Sequence, residues 1–286
     1  MYFPVDKRGS RLSVGLRNLD LAHWFEIDDK RSSELVVKEH LLKDNEVVLA
    51  ENHGVEPASY ELLSAALFNL SEFHSDIFEI LDDVVIDRER DVHVAIDHPL
   101  LTLSRLLQED FCVMNRIEDS WVLTSAVLFS PSRWRLLDKV GKNLSGIHEP
   151  VPGYEEQIAT ATQKAFERIT VEQPLWRANW TLLDDPTLFQ PTPAQAKAII
   201  EDAGSQVFFR VERQTLRKLP QTGAVIFTIR TYVDPLSKIL QGIDGAIDVL
   251  RESLQSTDEH HEQYKGWKFV KPAVLEYLEK FPSSKV

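Results

Sequence analysis

A chain of 286 residues, 43% hydrophobic and 27% charged, has the make-up of an ordinary globular protein, long enough to bury one substantial core and unlike a disordered or fibrous sequence. Forty-five acidic against 32 basic residues give a net charge of −13, which repels nucleic-acid backbones and anionic membrane surfaces, so neither is expected as a partner. The single cysteine, Cys112, excludes an intramolecular disulfide, and it excludes an iron–sulfur cluster held by this chain alone, which takes about four ligands.

The first 15 residues have no apolar stretch of the kind that opens a secretory signal, and no run approaches the roughly 20 apolar residues of a membrane span, so a cytoplasmic setting is expected. Residues 1–58 alternate short apolar runs with charge clusters such as Asp28-Asp29-Lys30-Arg31 and yield no long periodic element. Over 60–81, Leu62, Leu63, Ala66, Leu67, Leu70, Phe73, Ile77, Phe78 and Leu81 recur at three and four, which predicts an amphipathic helix capped by Ser59. Residues 111–115 and 121–129 are β-rich around Glu118-Asp119-Ser120 and predict an antiparallel hairpin. Alternation in its second strand puts Trp121, Leu123, Val127 and Phe129 on one face and the smaller Val122, Thr124 and Ala126 on the other, leaving room for a ligand.

Ser132 is placed to cap a short helix over 133–140 that Gly141 ends, and the prolines and glycines of 146–153 predict a stiff loop without regular structure. Helices are expected over 154–169 and over 194–203, the latter closed by Gly204. Strands follow at 206–216 and 224–233, then helical patterns at 236–254 and 270–281 separated by the polar stretch 256–265. Both strand pairs are joined by segments too short for parallel crossovers, so the expected class is α+β, an antiparallel sheet with flanking helices. The organisation expected is an N-terminal segment over 1–58, a core over 59–235 and a helical extension of the same domain over 236–286.

No dinucleotide fingerprint, phosphate-binding loop, nucleophile elbow or His-Glu-x-x-His zinc motif occurs, so nucleotide, acyl-transfer and zinc-protease chemistry lack support. His148, on the Pro-flanked loop, suits axial coordination of haem iron, and a histidine tied to a turn is the competing reading. His93 and His98 match no metal-ligand spacing, and His260 and His261 read as solvated. Within 207–215, Val207, Phe209, Val211, Arg213 and Thr215 share one face, opposite Phe208, Arg210, Glu212 and Gln214. Arg213 therefore ends an apolar row and needs an anion, either a haem propionate, bound oxygen, or an internal Asp or Glu. Arg230 and Tyr232 read as solvent-facing, Arg177 and Asn179 read as pocket groups or loop-fixing hydrogen bonders, and Gln108-Glu109-Asp110 is similarly open, exposure being the usual state of acidic residues before a strand.

Taken together, Leu107-Gln108-Glu109-Asp110, Pro131-Ser132-Arg133-Trp134, Lys139-Val140-Gly141, Ile147-His148-Glu149-Pro150-Val151-Pro152-Gly153-Tyr154, Arg177-Ala178-Asn179-Trp180 and Glu212-Arg213-Gln214-Thr215-Leu216 give the chain a resemblance. From about Leu100 to Val233 it resembles the haem-dependent oxidative N-demethylase alpha-subunit-like family. The resemblance implies a haem b pocket in a PAS-like fold, and an enzyme in which haem iron activates oxygen to demethylate a small secondary amine with electrons from NADPH through flavin and an iron–sulfur centre. It implies haem contacts at His148, Arg177, Asn179, Arg213 and Gln214, of which Arg213 and Gln214 are taken as catalytic, while iron at His148 is assigned from the chemistry of the imidazole. With one cysteine and no dinucleotide fingerprint, the chain is expected to carry neither flavin nor iron–sulfur cluster, and its electrons are expected from a separate reductase. A non-catalytic haem- or ligand-binding sensor, or an interaction domain, is the alternative, because one fold hosts many functions.

Overall fold

A computed structural model describes the chain except for residues 1, 10–12, 53, 55, 193–198 and 282–286. Ten strands are formed among the described residues: β1 (Arg17–Asn18), β2 (Leu49–Glu51), β3 (Phe78–Ile80), β4 (Val84–Asp87), β5 (Val92–Ala95), β6 (Asp110–Ile117), β7 (Ser120–Val127), β8 (Leu175–Leu183), β9 (Phe208–Lys218) and β10 (Val225–Pro235). Seven make one sheet in the order β1-β8-β9-β10-β6-β7-β2, and β3-β4-β5 make a small second sheet. All pairings are antiparallel, and with the flanking helices this is an α+β fold. No helix among the described residues is long and apolar enough to cross a membrane.

The β9–β10 hairpin forms where alternation is strongest, in register from Phe208 opposite Pro235 to Lys218 opposite Val225. The β6–β7 hairpin forms as well, with one irregularity that alternation does not reveal. Val113 pairs with Ser125 but Met114 with Leu123, so Thr124 is an extra, bulged residue. A one-residue insertion reverses the pleat. Trp121 and Leu123 therefore share a core with Cys112, Met114, Ala126 and Leu128, while Val127 and Phe129 join Phe111 and Val113 on the opposite face. The expected face of small residues does not exist, and Thr124 instead turns its hydroxyl to the Val113 carbonyl at 3.2 Å.

Several helices differ from expectation for local reasons. The helix expected over 60–81 runs Glu56–Phe73, with Pro57 in its first turn and Ser59 buried inside it, and Phe78 to Ile80 form β3 instead. Residues 1–58 contain a helix, Arg31–Leu41. In place of a helix over 133–140 there is a single turn, Leu136–Asp138, because Arg133 sits at φ +64° and Ser132 bridges to Gln190. Most of the helix expected over 194–203 lies outside the described residues, and Gly204 falls within the short helix Ala203–Gln206 that Asp202 caps. Gly245, at φ +73°, splits the pattern over 236–254 into Leu236–Gly242 and Ala246–Ser256. The polar stretch 256–265 holds the helix Glu259–Lys265, capped by the Asp258 side chain. His261 is buried there against Asp258, not solvated. The last helix is Val270–Glu279.

One face of the sheet carries two apolar clusters with a layer of buried charge among them. The first cluster packs Trp24, Phe25 and the helices Glu56–Phe73 and Pro99–Leu106 on Phe111, Val113, Val127 and Ile226. The second packs the C-terminal helices on Leu182, Phe209 and Val211. Arg230, expected in solvent, is 1% exposed and meets Asp28 at 2.7 Å and Glu34 at 2.9 Å. Gln108, Glu109 and Asp110 are also buried rather than exposed. Gln108 donates to Asp28 and Glu34, and Glu109 accepts from the Glu26 N–H. Asp110 accepts from the Phe129 and Ser130 N–H groups and lies 3.8 Å from Lys38, which donates to the Leu107 and Glu109 carbonyls. Burial pushes Lys38 down to about 8 and the Asp110 carboxyl up, each charge pulling the other back toward ionisation.

Arg31 is the most enclosed of these cations. It pairs with Asp87, both fully buried, and with Glu89, and donates to the Leu106 carbonyl. Arg31→Ala strands the Asp87 carboxylate and is expected to cost about 3–5 kcal/mol in urea unfolding, whereas Arg31→Met with Asp87→Leu is expected to recover much of that loss.

Candidate functional site

The opposite face of the sheet is apolar at one end and polar at the other. At the apolar end Met114, Trp121, Leu123, Leu216, Val225 and Ile229 are roofed by Leu136, Leu144, Phe166 and Ile169. At the polar end Arg177 of β8 lies opposite Gln214 of β9, and Asn179 opposite Glu212. Directly opposed residues of antiparallel strands project to the same side, so these four side chains form one patch, which Arg210 extends. Gln214 donates to Glu212 Oε2 at 3.2 Å, and Arg210 Nε lies 3.5 Å from Glu212 Oε1 without a hydrogen bond. Arg177 makes no hydrogen bond within the described residues, and its Nε is buried. Burial lowers its affinity for the proton and Glu212 raises it. Asn179 is exposed.

His148 enters from above this face. Residues 141 and 142 pair with Leu123 at the outer margin of β7, and Asn143 bridges to Val122 and caps the helix Leu144–His148 through the Gly146 N–H. The loop expected over 146–153 is thus helical in its first part, because Asn143 supplies a cap and Pro150 and Pro152 stand beyond the last turn. His148 Nδ1 lies 2.8 Å from the Leu144 carbonyl and its ring stacks on Tyr154 at 4.4 Å. A carbonyl accepts only, so Nδ1 carries the hydrogen and Nε2 keeps a free lone pair in the neutral ring. Burial holds the imidazole below the usual histidine range, with Lys139 and Arg177 adding repulsion. Arg177 is therefore within electrostatic reach of His148. Lys139 fixes this corner by donating to the Ile147 carbonyl.

Arg213 lies on the other face, as alternation requires, opposite Ala178 and Arg230. Its guanidinium is 3.0 Å from Glu26, donates to the His23 and Trp24 carbonyls, and lies over Trp176. The structure thus brings Arg177, Asn179 and Gln214 onto one side with His148 and places Arg213 behind them. His98 caps the helix Pro99–Leu106 and meets Glu51, away from this patch. Two clefts, of about 400 and 190 Å³, lie elsewhere, beside β5 and beside Ile199 and Phe208.

The family described as "Haem-dependent oxidative N-demethylase, alpha subunit-like" matches residues 15–275, nearly the whole chain. The chain belongs to this family. A haem dependence and the oxidative N-demethylase designation come with that membership, as does the description of an alpha subunit, which implies further components. The residues present fit a haem in one respect, since His148 offers a neutral nitrogen, and Arg177 beside it keeps a buried Nε without a hydrogen-bond partner.

Sequence reasoning did not bring Arg210 and Glu212 into this patch, and it missed Lys265, which packs at the edge of β8. Lys265 ends the helix Glu259–Lys265, donates to the Trp180 carbonyl at 3.3 Å, and lies over the Trp180 and Trp267 rings. Burial pushes it down to about 8 against the pull of Glu212. Asp258 as cap and Gly266 as terminator, at φ +68°, were the signals that mark this helix.

The His148 tautomer has a measurable consequence. Protonation is disfavoured in the folded state, so its contribution to stability is full above the ordinary histidine value of 6.5 and is lost as pH falls below it. Nitrogen-detected NMR of the haem-free protein is expected to show an Nδ1-protonated ring titrating below 6.5, and a midpoint above 6.5 contradicts this environment.

Proposed function

We propose that this chain is the haem-binding, oxygen-using subunit of an oxidative N-demethylase, a PAS-like haem b domain in the cytoplasm that acts on a small secondary amine. A separate reductase delivers its electrons. The observation that carries this reading is the availability of His148 Nε2 beside the Arg177–Gln214 patch in a member of a haem-dependent family.

In this reading His148 holds the iron through Nε2, and the Leu144 carbonyl fixes the ring tautomer from behind. Bound haem supplies the oxygen chemistry, which no side chain of the chain provides. Arg177 and Asn179 contact the cofactor, and Gln214, held by Glu212, presents a neutral amide to substrate. Arg213 acts as a positioning residue, because its tie to Glu26 anchors β9 directly behind Gln214. The net charge of −13 favours approach of a protonated amine over an anionic substrate.

Protein purified after haem supplementation is expected to show a Soret band, and His148→Ala is expected to lose or shift it with little change in thermal unfolding. Adding a secondary amine, oxygen and a reductant should release formaldehyde from the wild type. A Soret band without formaldehyde supports the non-catalytic sensor, and the absence of any Soret band removes the haem reading altogether.

A further inference from the structure

The chain that follows His148 turns back and covers it. The Val151 N–H donates to the His148 carbonyl at 2.8 Å, and the Tyr154 N–H donates to the Val151 carbonyl at 3.2 Å. These turns, completed by Gly153 at φ +70°, lay the Tyr154 ring flat on the imidazole, with centroids 4.4 Å apart and planes 7° from parallel. Tyr154 is itself firmly seated. It is 3% exposed and heads the helical stretch of Glu155–Ala159 and Thr160–Arg168, whose Phe166 packs on Trp121 with ring centroids 5.8 Å apart. Its hydroxyl is buried, with Thr162 nearby and no closed hydrogen bond, so the ring rather than the oxygen makes the contact. A Cβ at Gly153 would fall 2.5 Å from Gln157 Nε2 on a left-handed backbone, so a side chain there strains the turn that aims Tyr154.

The two contacts on the imidazole constrain different things. The hydrogen bond from Nδ1 to the Leu144 carbonyl selects the nitrogen that carries the hydrogen, but a single hydrogen bond leaves the ring free to tilt about its axis. A parallel ring on one face removes that tilt. We infer that Tyr154 is a positioning residue, whose ring sets the plane of the His148 imidazole so that the Leu144 carbonyl and Tyr154 together fix the direction of the Nε2 lone pair. The inference rests on the haem reading above for what that lone pair meets, whereas the lock itself is a property of the loop. A nitrogen aimed in advance loses little freedom on taking a ligand, and none of the protein is held in a misdirected form that lowers the apparent affinity.

The test uses NMR of the haem-free, full-length protein with nitrogen-labelled histidine, held at one pH of about 8.5, where imidazole is neutral. The wild type is expected to show an Nδ1-protonated His148 whose ring protons are shifted upfield by the Tyr154 ring. Tyr154→Phe is expected to keep both signatures. Tyr154→Leu is expected to lose the upfield shift and to populate the Nε2-protonated form. Soret titration with haem should follow the same order, unchanged for Tyr154→Phe and weaker for Tyr154→Leu by the reciprocal of the remaining Nδ1-protonated fraction, about fivefold if one fifth remains. A Tyr154→Leu protein with the wild-type tautomer and affinity overturns the inference, and so does a Tyr154→Phe protein that behaves like Tyr154→Leu. Unshifted His148 ring protons in the wild type overturn it with no substitution at all, so a variant that fails to fold does not remove the test. Failure of the wild type to bind haem removes the haem reading, and the tautomer and ring shifts still decide the role of Tyr154.

Discussion

Arg213 and Arg230 stand directly opposite each other on the two longest strands, and like charges so placed repel. Everything around them is arranged to make that pair tolerable. The stretch from His23 to Lys38 runs across this face of the sheet and delivers Glu26 to Arg213, and Asp28 and Glu34 to Arg230. Tyr2 and Tyr232 both donate to Glu26, and burial with that hydrogen bond pushes their phenols well up. Without the N-terminal segment the central hairpin would hold two unpaired guanidinium groups in its core. The segment is therefore part of the sheet's energetics rather than an appendage.

The same alternation that sends Arg213 inward sends Glu212 and Gln214 outward. One strand thus serves two purposes with a period of two, and the rigidity of the ionic layer is transmitted to the polar patch through a shared backbone. The bulge at Thr124 does comparable work in β7. By reversing the pleat it lets Trp121 and Leu123 carry the helix of His148 while Val127 and Phe129 pack into the main core.

The four strands of the two hairpins and the α+β class were legible because their residues alternate strongly and their turns are short. The orientation of Arg213 was legible for the same reason. The burial of Gln108, Glu109, Asp110 and Arg230 was not, because their partners Asp28, Glu34 and Lys38 are far away in sequence and polar residues before a strand carry no local sign of enclosure. The bulge lacks a glycine or proline to mark it. Strand β8 was read as a cluster of separate groups because Arg177 and Asn179 occupy the positions where a half-buried strand usually shows simple polar residues, and its other face carries Trp176 and Trp180 only partly buried. At the candidate site, His148 and its neighbours on β8 and β9 were recognisable as motifs, whereas Lys265, at the edge of β8, came from a stretch whose composition resembles a linker.

Beyond its short pairing with β1, strand β8 exposes a free edge, and the helix Glu259–Lys265 covers it. Lys265 takes the Trp180 carbonyl and the Trp267 indole takes that of Leu182. The edge most open to pairing with another chain is thus closed by this helix. During synthesis β8 and β9 leave the ribosome well before that helix does, so the nascent sheet passes through a stage with a bare edge. Edge protection therefore arrives only when the C-terminal helices dock, which ties resistance to aggregation to a segment made after the sheet.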